Sequence, residues 1–124
     1  VLLEPGKLAR TAEIGTSIED LQNAVDGLIE PFYPFEEQVC IVCNDEGKIN
    51  GMLPNRSVKN KDGVMVDFIF GPAFICDCRG ESFDSLSDEQ IACYTKMFRY
   101  PEHLARLNGK LIGIPFNPQR EHER

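Results

Sequence analysis

Gln38 to Arg56 reads QVCIVCNDEGKINGMLPNR, and the fold is decided there. Gln38 to Cys43 is a mostly β-favouring run and predicts a central strand. Asn44-Asp45-Glu46-Gly47 predicts a tight turn, in which Asn or Asp opens the bend and Gly takes the positive-φ place. Lys48 to Gly51 returns from it. Met52 to Lys59 reads as a loop or a short helical turn.

Working outward, Val1-Leu2-Leu3-Glu4-Pro5-Gly6 reads as a short strand ended by a Pro-Gly turn. Thr16 or Ser17 can cap a helix that carries Glu19 and Asp20 in its first turn, where acids favour the positive end of the dipole. Ile18, Leu21, Val25 and Leu28 follow helical spacing and form a core stripe, and Gly27 supplies a left-handed stop. Residues 27–35 are extended, but Pro31 and Pro34 donate nothing to a ladder, so this is an edge strand or a bulged one. Asn60 to Gly63 is a further turn. Residues 64–69 and 72–77 read as two strands, broken at Gly71-Pro72. Ser85 or Ser87 caps a second helix with Leu86, Ile91, Tyr94, Met97 and Phe98 on its buried face. Tyr100-Pro101 breaks it, because a residue before proline avoids the helical region. Glu102 to Leu107 reads as a third, short helix. Asn108-Gly109 then turns into a final strand at 110–115.

The expected fold class is α+β: one small domain over residues 1–115, a largely antiparallel sheet with two or three helices packed on one face, and a polar tail at 116–124. The length of 124 residues suits one modest core. A net charge of −7 argues against general nucleic-acid binding, which needs a basic face to neutralise phosphates. It suits a basic protein partner or plain solubility. No apolar run reaches the roughly 20 residues of a membrane helix. The chain begins at Val1 rather than Met, so a short leader could precede it. Five cysteines, an odd number without a secretory mark, favour free thiols in a reducing cytoplasm.

The order of several segments carries a resemblance: Ser17-Ile-Glu-Asp-Leu-Gln, Gly27-Leu-Ile-Glu, Cys43-Asn-Asp-Glu-Gly-Lys-Ile-Asn-Gly, Asn55-Arg56, Gly71-Pro-Ala-Phe-Ile-Cys, Ser85-Leu-Ser-Asp-Glu-Gln and Phe98 to Glu102. Together they resemble the bacterial family known as domain of unknown function 3846, from about Leu3 to Pro115. The string from Cys43 to Arg56 is the most specific part. The family pattern there runs Leu-Pro-Leu-Asn-Arg, whereas this chain has Met52-Leu53-Pro54-Asn55-Arg56. The family occurs in gut-type Gram-positive bacteria, their conjugative elements, plasmids and phages, often beside antirestriction and DNA-processing genes. The resemblance implies a mobile-element accessory protein and brings no activity or catalytic residue with it.

The candidate contact surface is therefore argued from residue chemistry: Asn44, Asp45, Glu46, Lys48, Asn50, Asn55 and Arg56. An Arg fork recognises oxyanions, and Asn pairs with adenine-like edges. A solvated turn with Asn serving its own backbone is the structural alternative. Gly47-Lys48 lacks the flanking residues of a phosphate loop. Cys40, Cys43, Cys76 and Cys78 invite a zinc reading, but a three-residue offset along a strand sends Cys40 and Cys43 to opposite faces, so no metal site and no cofactor are expected. Cys93 and His103 have no local signature of a nucleophilic pair, and His122 falls in the tail. Three functions follow in order. The first is a protein-interaction module, with counter-defence as one role it would serve, an unidentified protein partner and room for a homodimer. The second is a nucleotide or small-anion binder using the 44–56 loop. The third is a metal- or thiol-dependent enzyme, with no catalytic residue assigned.

Overall fold

Every residue from Val39 to Val42 is buried, so the central strand needs cover on both of its faces. That requirement organises the molecule, whose computed structural model describes residues 1–119. The central strand, β3 (Val39–Asn44), lies between β6 (Ala73–Asp77) and β2 (Ile29–Phe32), and β1 (Leu2–Leu3) pairs with the far side of β6. All three pairings are antiparallel. The proline-bearing strand β2 is at the edge, as its missing N–H demands.

Alternation along β3 and β6 sorts the core into two clusters. Val39, Ile41 and Ile75 join Val58, Ile69, Tyr94 and Phe98 on one side. Cys40, Val42, Phe74 and Cys76 join Val25 on the other. Val25 ends helix α1 (Ile18–Val25); Tyr94 and Phe98 belong to helix α2 (Asp88–Met97) and its C-cap. The two helices thus flank the sheet on opposite faces, where the sequence suggested one. The signal was the unbroken apolar run VCIV: a strand with one solvated face would alternate.

Ser17 caps α1 by accepting the N–H of Asp20, and Ser87 caps α2 in a reciprocal box with Gln90. The left-handed residue that ends α1 is Asp26 (φ 59°), one place before the expected Gly27. Gly27 has a different job. A Cβ there would lie 2.6 Å from Asn44 Nδ2, which donates to the Val25 and Asp26 carbonyls and so finishes the helix from a neighbouring strand.

Two segments differ in type from their sequence reading. Pro54–Lys59 is strand β4, not a loop or helical turn, and pairs with β5 (Met65–Phe70) across two register shifts. Glu102–Leu107 is strand β7, not a third helix, and pairs with β8 (Lys110–Pro115). Asn108 and Gly109 both have positive φ, the two-residue turn that fits a twisted hairpin. That turn wins over the helical propensity of Glu-His-Leu-Ala-Arg-Leu because a strand facing a second strand satisfies six residues at once. The β7–β8 hairpin lies against β4. The antiparallel structure is thus divided among one four-stranded and two two-stranded sheets.

Candidate functional site

Arg56, Asn55 and Asn44 are turned into the protein. The Arg56 side chain is 0% exposed. Its Nε donates to the Phe98 carbonyl at 2.6 Å, Nη1 to the Glu4 carbonyl and to Asn55 Oδ1, and Nη2 to the carbonyls of Lys7 and Arg99. Two of those carbonyls stand at the C-terminal end of α2, where the helix dipole favours a cation. Burial pulls the guanidinium down to about 10, still charged at neutral pH. Asn55 Nδ2 donates to the carbonyls of Leu3 and Gly71. The pair therefore knots three distant segments together, and no nitrogen of Arg56 is left for a ligand.

Asp45, Glu46, Lys48 and Asn50 remain at the surface. Lys48 is held by Asp67 on β5, 2.7 Å away. Asp45 shares a hydrogen bond with Glu30, and that contact, ahead of burial, raises the Glu30 carboxyl above its usual range. The small hollow here, about 190 Å³, thus has Glu30, Asp45, Glu46 and Asp67 around one occupied lysine. Like charges crowd it, so an anion is repelled rather than gathered. The structure does not bring Arg56 and Lys48 to one site.

The thiols are equally committed. Cys40 and Cys76 face each other across β3 and β6 with sulfurs 3.7 Å apart. Their shared hydrogen bond, then burial, pushes the Cys40 thiol up. Cys43 points to the other face, donates to the Glu30 carbonyl and is pushed by burial to about 11. Such thiols are poor nucleophiles at neutral pH. Among the described residues, no three His, Cys, Asp or Glu side chains gather as a metal site. His103 stacks on Phe116 with ring centroids 4.0 Å apart, while Cys93 lies exposed on α2. His122 lies outside the described residues.

A larger concave surface lies elsewhere. A cleft of about 940 Å³ opens between loop 34–37, α2, and β4 with its turn into β5. Phe35 packs against Tyr94 (centroids 4.8 Å apart) and Phe98 (6.2 Å) at its base. Glu37 accepts hydrogen bonds from the Tyr94 phenol and the Gln90 amide. Burial, and then that carboxylate, push the Tyr94 phenol up, so it stays a donor. On the other wall, Glu102 Oε1 accepts from both the Ser57 N–H (3.1 Å) and the Ser57 hydroxyl (2.6 Å). Gly113 makes room for this clamp: a Cβ there would lie 1.9 Å from Glu102 Oε1. An ion pair between Lys61 and Glu36, at 3.5 Å, joins the β4–β5 turn to loop 34–37. Both partners are exposed, and such a pair holds with about 0–1 kcal/mol. Met97, 57% exposed, adds an apolar lip.

Sequence reasoning missed this cleft. Glu37 and Tyr94 are 57 residues apart, and Ser57 and Glu102 are 45 apart, so no local motif joins them. Chemically the cleft offers an aromatic floor, an adaptable methionine and carboxylates fixed by neutral donors. Ser57 and Glu102 are locked to each other, because the oxygen that accepts the hydroxyl also accepts Ser57's own N–H.

The family model described as domain of unknown function (DUF3846) matches residues 1–99, and the chain belongs to that family. No curated protein matches the chain, and no solved structure does. No helix among the described residues is long and apolar enough to cross a membrane.

Proposed function

We propose that this member of the DUF3846 family is an accessory protein of bacterial mobile elements that acts by binding another protein, and that the α2–β4 cleft is its contact surface. The observation that carries the reading is the cleft itself: four separated chain segments build a concave surface with an aromatic floor, an exposed Met97 and pre-set carboxylates. Aromatic and methionine groups are the usual anchors of protein interfaces, and methionine adapts to the shape it meets. The mobile-element setting comes from the family resemblance. In that setting, and with a net charge of −7, the partner class is a cytoplasmic host protein with a basic face, a defence enzyme above all. The anion-binding reading has less support, because Arg56 is enclosed and Lys48 is paired.

The test is site-specific photo-crosslinking in cells that carry the element. A benzophenone side chain is placed at Met97, and in a second strain at Ile49, an exposed apolar residue of the 44–50 turn. A discrete adduct from position 97 and none from 49 is expected. Adducts from 49 alone, or from neither, overturn the cleft as the contact surface.

A further inference from the structure

We infer that the cleft takes an arginine side chain of the bound protein, with its guanidinium at Glu37 and Glu102 and its stem along the aromatic floor. This rests on the protein-binding reading above and narrows it to one side-chain chemistry. Glu37 and Glu102 are held in place only by neutral groups: Tyr94 and Gln90 for the first, Ser57 for the second. Among the described residues, neither carboxylate has a lysine or arginine nitrogen within 4 Å, although Arg79 and the buried Arg56 act on them from further away. Glu102 Oε2 accepts from no described group, since both Ser57 bonds fall on Oε1. Two carboxylates already ordered by their own hydrogen bonds offer a cation a site at small entropic cost.

The floor selects the kind of cation. A guanidinium is planar, weakly hydrated and stacks on aromatic faces while its N–H groups fork onto carboxylates; an ammonium is compact and strongly hydrated. Phe35, half-buried over the buried Tyr94 ring, supplies such a face beside Glu37. Lys59 and Lys61 line the β4–β5 turn of the same cleft and disfavour a cation at that turn. Lys61 keeps its own partner in Glu36. The net charge of −7 adds long-range attraction for a basic segment.

The experiment is an NMR titration of the full chain with a capped Gly-Leu-Arg-Leu-Gly peptide. Versions carrying citrulline or lysine in place of arginine are run beside it. Citrulline keeps the shape and loses the charge. Saturable shifts at the amides of Ser57, Tyr94 and Phe98 are expected, with citrulline weaker by about tenfold or more and lysine between the two. Glu37→Gln should weaken the arginine peptide by about fivefold or more, while Asp45→Asn, outside the cleft, leaves it unchanged. If Glu37→Gln perturbs the fold, the arginine–citrulline comparison on the unaltered protein still decides. Equal binding of citrulline, shifts centred on residues 44–50, or no saturation by about 5 mM overturns the inference. Crosslinks from position 97 with a failed arginine titration would leave the docking reading standing and remove the arginine. A successful titration without crosslinks would remove the docking reading and leave a cleft that takes a free guanidinium.

Discussion

Arg56 shows how differently one residue reads with and without its neighbours. In the string Leu53-Pro54-Asn55-Arg56-Ser57 it looks like a loop arginine free to meet an anion. In the fold it donates to four backbone carbonyls and one amide, with no carboxylate among the described residues in direct contact. Removing it leaves several buried acceptors without donors, each worth about 1–3 kcal/mol. Arg56→Met should therefore lower stability by about 3 kcal/mol or more, read from the urea midpoint at an unchanged slope. Arg56→Lys should cost nearly as much, because a point charge does not replace a fork that reaches carbonyls from residues 4 to 99. Near-native stability of the lysine variant would show that charge alone suffices. Asp77 gives a second test at this scale. Its carboxylate is buried and is held below the usual range by the Arg79 side chain and N–H. A depressed carboxyl stabilises the fold fully above its unfolded value of about 3.9 and loses that contribution as pH falls through the folded value. The stability gap between the protein and Asp77→Asn should thus be widest at neutral pH and close below about pH 4, in urea melts across that range. None of these partnerships is legible in sequence, since each joins a side chain to whichever carbonyls folding delivers.

At the scale of elements the sequence is legible wherever signals are local. Caps at Ser17 and Ser87, the edge position of the proline-bearing strand, the kink at Gly71-Pro72 and the Asn108-Gly109 turn all follow from chemistry within four residues. β4 and β7 were illegible for a physical reason. β4 buries Asn55, Arg56 and Ser57, so its polarity pattern denies the strand it forms. β7 carries helix-forming residues and becomes a strand only because β8 and β4 lie beside it. Its docking depends on the Glu102–Ser57 clamp, which Gly113 accommodates. Gly113→Ala should push Glu102 off Ser57. The Ser57 amide, deprived of its acceptor, should then exchange with solvent about tenfold faster or more, while amides of β3 keep their protection. Unchanged exchange at Ser57 would mean that the clamp relaxes around a methyl group.

For the whole molecule, neither core cluster extends past Phe98, and neither includes a residue of the β7–β8 hairpin. The family match ends at residue 99, at the same place in the fold. The apolar burial that drives folding therefore lies within the matched segment, and the hairpin is held to it by the clamp and by its contact with β4. A chain ending at Pro101 keeps both clusters, the Arg56 knot with Phe98 and Arg99, and the buried Pro101 itself. It should still unfold in one cooperative step, with its urea midpoint lowered because Ser57 loses its acceptor and β4 loses the hairpin beside it. It should also retain the Glu37 half of the cleft and lose the Glu102 half, so an arginine peptide should bind it more weakly than the full chain without moving to another surface. A truncated chain that lacks a cooperative transition would place the hairpin inside the folding unit, and the shared boundary at Phe98 would then mark where the family pattern stops rather than where the fold does.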